Sequence, residues 1–228
     1  MSISKWAPLL ALGACSWTMA QPLDVLSISD ELPVKNRSSF SGALANESFQ
    51  LGSYSVAEVD RKWNSTESAS FFGIDAARTV GGYAYKFLAG GTQLKGECAT
   101  EDSKSGKDLG GGWSSEKTFA KLGCRCSDSQ GAVTLTVGGG DAASYEGAVT
   151  SPDVEYKVQA ITQRTKGPSS REPLGWRIDS NDAPLGAVDL KRPGLVWISR
   201  SVEGRQREDL ACLFAGLLLY LPKSSIEH

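Results

Sequence analysis

Residues 210–221, LACLFAGLLLYL, are apolar around the whole circumference of a helix, and they come after a long run of segments that read as short β-strands. Alanine and leucine dominate, no β-branched residue interrupts, and Pro222 ends the run, so helix is favoured over strand. The preceding RQRED, residues 205–209, is fully polar. A helix that is apolar on every side has to be surrounded by lipid or by protein. Twelve residues rise only about 18 Å, short of the roughly 30 Å of a hydrocarbon core, so protein is the expected surround.

The rest of the chain supplies that surround as strands. Short β-type runs are expected at 48–51, 54–63, 69–74, 82–88, 92–98, 117–126, 132–137, 144–149, 154–163, 175–179, 185–190 and 195–200, separated by glycine, proline, asparagine or serine. Val154, Tyr156, Val158 and Ala160 alternate with Glu155, Lys157 and Gln159, and Val133, Leu135 and Val137 repeat the pattern, which suits antiparallel strands covering a core on one face. The fold expected is therefore mainly β. About twelve antiparallel strands would form a closed barrel around the hydrophobic C-terminal helix, or a β-sandwich with that helix packed on one face. No fixed-period repeat or dividing linker appears, so one domain over 47–222 is expected, after a polar tether over 15–46 with one candidate strand near 25–28, and before a tail over 223–228. The polar stretch 100–112 is expected to be the longest loop and a protease-sensitive point.

Composition excludes more chemistry than it suggests. Lys plus Arg total 24 against 26 for Asp plus Glu, with no basic stripe, which argues against a nucleic-acid partner. The single histidine, His228, argues against a Ser/His/Asp triad, a Cys/His pair and a His-ligated metal. Residues 1–14, with Lys5 ahead of a short apolar run, have the layout of an export signal and are too short to span a bilayer. Export implies an oxidising compartment, where disulfides persist. Cys124 and Cys126 lie on one face of a strand-like run and Cys98 ends the run before it, so a bond from Cys98 to Cys124 or to Cys126 is expected, a metal site being the alternative. Cys212, inside the apolar helix, is expected as a buried thiol.

Leu12-Gly13-Ala14-Cys15 resembles the bacterial lipobox, in which the signal is cut before a cysteine that is then acylated. That resemblance implies lipidation (palmitate) at Cys15 and tethering to the cell envelope. By analogy with enterobacterial lipoproteins, Ser16 would favour the outer membrane, facing the periplasm. The alternative is cleavage after Thr18-Met19-Ala20 and secretion. The arrangement of about twelve strands and a final helix, Gln206-Arg207-Glu208-Asp209-Leu210-Ala211-Cys212-Leu213-Phe214-Ala215-Gly216-Leu217-Leu218-Leu219-Tyr220, resembles the tubby-like barrel of tubby, LURP-one-related and phospholipid-scramblase proteins. It implies the fold alone, since no catalytic or lipid-binding motif of those families can be placed on this chain.

The remaining motifs point to no cofactor. Gly138-Gly139-Gly140-Asp141-Ala142-Ala143 fits GxGxxA, but residues 144–152 beyond it read as strand and turn, without the helix whose N-terminal amides would hold a pyrophosphate. The Asn-X-Ser/Thr sequons at Asn36, Asn46 and Asn64 reflect a serine-rich composition in a chain with a bacterial-type signal. The carboxylate groupings are Glu58 with Asp60 (beside Arg61, Lys62 and Trp63), Glu97 beside Cys98, and Asp179 with Asp182; paired acids of this kind cleave glycosides when suitably spaced, and otherwise form surface salt bridges. Among Trp63, Trp113, Trp176 and Trp197, Trp197 is expected in the core. Trp113, after three glycines, is the candidate ligand contact. The function expected is that of a non-enzymatic envelope lipoprotein binding a protein, lipid or glycan; the alternative is a carboxylate-dependent hydrolase of envelope polysaccharide.

Overall fold

The computed structural model describes residues 27–37, 47–63, 79–108, 114–139, 145–152, 154–163, 170 and 173–220. Twelve antiparallel strands close into one barrel: β1 (Ser29–Lys35), β2 (Glu47–Leu51), β3 (Tyr54–Trp63), β4 (Thr79–Ala89), β5 (Thr92–Asp108), β6 (Ser114–Ser127), β7 (Ala132–Gly139), β8 (Glu146–Thr150), β9 (Glu155–Ile161), β10 (Gly175–Ser180), β11 (Ala183–Asp189) and β12 (Leu195–Ser199). Each strand pairs with its neighbours in sequence, and β1 closes the ring by pairing with both β12 and β2. Closure leaves no open edge to the ring.

Barrel diameter grows with strand number, and about eight strands already enclose all the space that inward side chains can fill. Twelve strands need a further filler. It is α1 (Gly204–Leu219), whose residues 210–219 are all buried. Around it stand the inward side chains of alternating wall positions, among them Phe87, Leu94, Leu135, Val158, Ile178, Val196 and Ile198, each at 0% exposure. Most of the outward positions on these strands are polar, such as Glu155, Lys157 and Gln159 on β9, Lys95 and Glu97 on β5, and Arg125 on β6, while Leu88 on β4 is exposed. A membrane-spanning barrel has the reverse pattern, an apolar band outside. Among the described residues, no helix is long and apolar enough to cross a membrane.

Two expectations change. Strand β1 falls inside the expected tether, displaced from 25–28; it carries three charges and Pro33, and Pro33 sits where the pairing passes from β12 to β2, so the missing N–H interrupts no continuous ladder. The expected polar loop over 100–112 is largely strand. β5 and β6 stay in register from Lys95↔Ser127 to Asp108↔Ser114, and beyond Glu101 and Ala120 they pair only with each other among the described strands. A two-stranded ribbon has no core face, hence no apolar alternation to betray it. The candidate strand over 69–74 lies outside the described residues.

One irregularity sets which side chains enter the barrel. In β3 the register shifts between Ala57 and Asp60, and Glu58 takes a positive φ of 51°. The extra residue re-phases the alternation, so that Val59 and Arg61 join Val56 on the inside while Glu58 and Asp60 face water.

Candidate functional site

Cys98, Cys124, Cys126 and Cys212 form one patch between the wall and α1. Cys98 and Cys124 lie opposite each other on β5 and β6 with Cα atoms 4.1 Å apart, and they are disulfide-bonded. Cys126, on the same face of β6, bonds to Cys212 and ties α1 to the barrel, with Cα atoms 6.2 Å apart. Of the two pairings open from the sequence, Cys98 takes Cys124. Cys212 is not a free thiol: a helix threaded through the barrel brings it against Cys126, a contact between residues 86 apart that strand spacing does not reveal. Both bonds consume the sulfurs that a metal site would have used, and no metal-holding group of His, Cys, Asp or Glu occurs among the described residues.

The C-terminal end of α1 is closed by charged and phenolic groups. The last four carbonyls of a helix lack intrahelical partners. Here Tyr83 donates its hydroxyl to Gly216 O at 2.8 Å, the Tyr220 N–H donates to Leu217 O at 3.2 Å, Arg37 Nη2 to Leu218 O at 2.5 Å, and Arg61 Nη1 to Leu219 O at 3.0 Å. Buried Glu47 joins the two guanidiniums, 2.6 Å from Arg61 Nη2 and 3.6 Å from Arg37 Nε. Burial lowers the pKa of Arg37, and Glu47 beside it acts in the opposite direction. Two cations and one anion leave a net positive charge where the helix dipole is negative. The aromatic rings of Phe49 and Tyr83 face Arg37 and Arg61 at 5.7 and 5.5 Å.

The opposite rim holds the helix start. Arg205 forms a two-pronged ion pair with Asp128 in the β6–β7 turn and donates from Nε to Asp209 at 2.8 Å. Arg207 reaches Asp30 at 2.9 Å, and Gln206 donates to the Tyr156 hydroxyl at 2.8 Å. The hydrogen bonds from Arg205 hold the Asp128 carboxyl below its usual pKa, whereas burial pushes Asp209 up.

The outer wall carries the remaining candidate. Trp197 is not in the core: Val196 and Ile198 on either side of it are at 0% exposure and face α1, so Trp197 faces outward and is half-buried. It lies in register between Glu31 on β1 and Ala187 on β11. An open depression of about 510 Å³ there is lined by Ser29, Asp30, Glu31, Trp197 and Arg200. Ser29 Oγ is buried without a hydrogen-bond partner among the described residues. Asp30 is fixed by Arg200 and Arg207, and among the described residues no ion pair engages Glu31.

Of the grouped acids, Glu58, Glu97 and Asp179 are held in ion pairs and Asp60 and Asp182 are exposed. Glu58 pairs with Lys86, Glu97 with Lys95, Asp179 with Arg177 and Glu47 with two arginines, while Asp182 sits exposed in the β10–β11 turn. Trp176 is core, at 4% exposure, packed edge-on to Tyr145. Gly138 and Gly139 of the run that fits GxGxxA end β7, and the next described element is strand β8. Cys15 and Trp113 lie outside the described residues. Arg37, Glu47 and Arg61 escape sequence reasoning because their burial depends on the bulge at Glu58 and on the position of the helix end. Comparison with known protein families, curated proteins and solved structures finds no match for this chain.

Proposed function

We propose that this chain is an exported, non-enzymatic protein of the bacterial cell envelope, anchored by a lipid at Cys15, whose barrel presents its outer wall and loops to a partner. The observation that carries the reading is the occupied interior. Residues 210–219 of α1 fill the space that open barrels reserve for a ligand, which directs recognition to the outside. Two disulfides support an oxidising compartment. Polar outward strand positions support attachment through the N-terminal segment rather than through the barrel. Pairing of Glu58, Glu97 and Asp179 with lysine or arginine favours binding over the alternative, a carboxylate-dependent hydrolase of envelope polysaccharide. The relation to the tubby-like barrels belongs to the same proposal and is supported by the arrangement of strands around the closing helix.

Anchoring is tested by Cys15→Ala and fractionation of the producing cells. The parent chain is expected in the membrane fraction and the variant in the soluble or unprocessed pool. Unchanged membrane association of the variant refutes the anchor.

A further inference from the structure

We infer that the outer wall over β1, β12 and β11 is a glycan subsite, with the Trp197 indole as its stacking platform. The inference rests on the reading of the chain as a binding protein and names the class of its ligand. Trp197 is the starting point, because its large ring is half-buried on the outer face of the wall, turned away from the core around α1. Its neighbours in register give the platform polar ends. Glu31 stands on one side; on the other, Ala187 keeps the space beside the ring low, and Arg177 on β10 is next in register beyond Ala187. Three inter-strand spacings of about 4.8 Å put about 14 Å between the backbones carrying Glu31 and Arg177, the reach of two linked pyranose rings.

The groups around the indole match such a ligand. A pyranose offers an apolar C–H face to an aromatic ring and a rim of hydroxyls that both donate and accept. The Glu31 carboxylate is an acceptor with no ion pair among the described residues, and Arg177 spends its Nε on Asp179 at 2.6 Å. Ser29 lines the depression, and its Oγ, buried just behind the surface, has no hydrogen-bond partner among the described residues. Exposed Arg200 and half-buried Asp30 pair at 3.1 Å within the lining. Other ligand classes fit less well: the carboxylates of Asp30 and Glu31 oppose an anion, Arg200 opposes a simple cation, and one indole is too small an apolar surface for an acyl chain.

The test uses the full chain purified from the producing cells in detergent. The probes are purified peptidoglycan sacculi and, separately, purified O-polysaccharide, with an N-acetylglucosamine tetramer for calorimetry. Binding to sacculi and the tetramer would place the ligand in wall glycan, binding to O-polysaccharide in surface polysaccharide, and either supports a glycan subsite. Trp197→Ala is expected to weaken that binding about ten-fold or more, and Trp197→Phe less, with the barrel fold retained in both variants because the ring lies outside the core. Undiminished binding by Trp197→Ala, or no binding of any of the three probes by the parent chain, overturns the inference. A membrane-anchored chain that ignores all three probes overturns the glycan subsite alone. A glycan-binding chain whose fractionation does not respond to Cys15→Ala overturns the anchor alone.

Discussion

Replacing Gly216 with alanine probes how closely α1 fits its barrel. A Cβ at this position would lie 2.8 Å from Tyr85 Oη, 2.9 Å from Cys98 Sγ and 3.1 Å from Cys124 Sγ. None of the three neighbours is free to retreat. The two sulfurs are bonded to each other, and the Tyr85 hydroxyl donates to Cys212 O at 2.8 Å. Behind that hydroxyl the ring lies flat over Gly96, so close that a Cβ there would meet Tyr85 Cζ at 2.1 Å. Two effects then compete. The intrinsic helix preference of alanine over glycine contributes about 1 kcal/mol of stability. Forcing a methyl into a close-packed core costs about 1–3 kcal/mol, and three contacts inside normal distance put this site at the upper end, about 3 kcal/mol. The net is a destabilisation of about 2 kcal/mol, or about 4–8 °C in Tm for a chain of this size. Thermal unfolding monitored by near-ultraviolet circular dichroism, with disulfides intact, measures it. Repeating the substitution in a Cys98→Ala/Cys124→Ala background removes two of the three contacts, so the cost there should fall close to zero; the difference is the coupling between helix and wall. A Tm raised by Gly216→Ala, or an equal cost in both backgrounds, would refute the close fit.

The two disulfides should differ in weight. Cys126–Cys212 closes a sequence separation of 86 and Cys98–Cys124 one of 26, for which loop-closure entropy gives about 4–5 and about 3–4 kcal/mol. Cys212→Ser is therefore expected to lower the urea midpoint more than Cys98→Ala/Cys124→Ala, and the opposite order would count against an α1 tethered to the wall. At alkaline pH, burial keeps the Tyr83 and Tyr85 phenols protonated beyond the usual value of about 10. Their folded pKa values lie above the unfolded ones, so their contribution is fully present below about pH 10 and is lost as pH rises beyond it. An ultraviolet tyrosinate titration should show these two phenols ionising together with loss of tertiary signal, and ionisation in the intact fold would exclude their burial.

The β-rich fold and its buried terminal helix were legible because their two signals are local, whereas the sequence leaves open whether the strands close into a barrel or form a sandwich. Period-two alternation in β7 and β9 marks strands with one wet face, and the all-round hydrophobicity of residues 210–221 is a property of twelve consecutive residues. What escaped depends on contacts between distant parts of the chain. Trp197 sits in an apolar run, Leu195 to Ile198, that looks like core throughout, and only the register with Leu32 and Asp30 assigns Val196 and Ile198 to the inside. Cys212 has no local sign of its partner. Arg61 lies among charged neighbours, and in strict alternation from Val56 it would face water. Strand β1 hides its single inward pair, Leu32 and Val34, among Asp30, Glu31 and Lys35.

The demands of the buried helix account for the irregularities of the wall. Four terminal carbonyls of α1 end inside an apolar barrel, and each left unpaired would cost about 1–3 kcal/mol. The chain supplies one partner from the helix's own continuation, Tyr220, and three from the wall, of which Arg61 is available only because the bulge at Glu58 turns it inward. Burying two guanidiniums is itself unfavourable without a counter-ion, and Glu47, paired in register with Val59 just beyond the bulge, provides it. The bulge, the two arginines and the buried glutamate are thus a single solution to one problem, the end of an apolar helix with nowhere to meet water. Side chains so committed are not available to a ligand. The outward positions have no part in closing the helix end, and a half-buried indole among them at Trp197 calls for a role that the buried helix does not require.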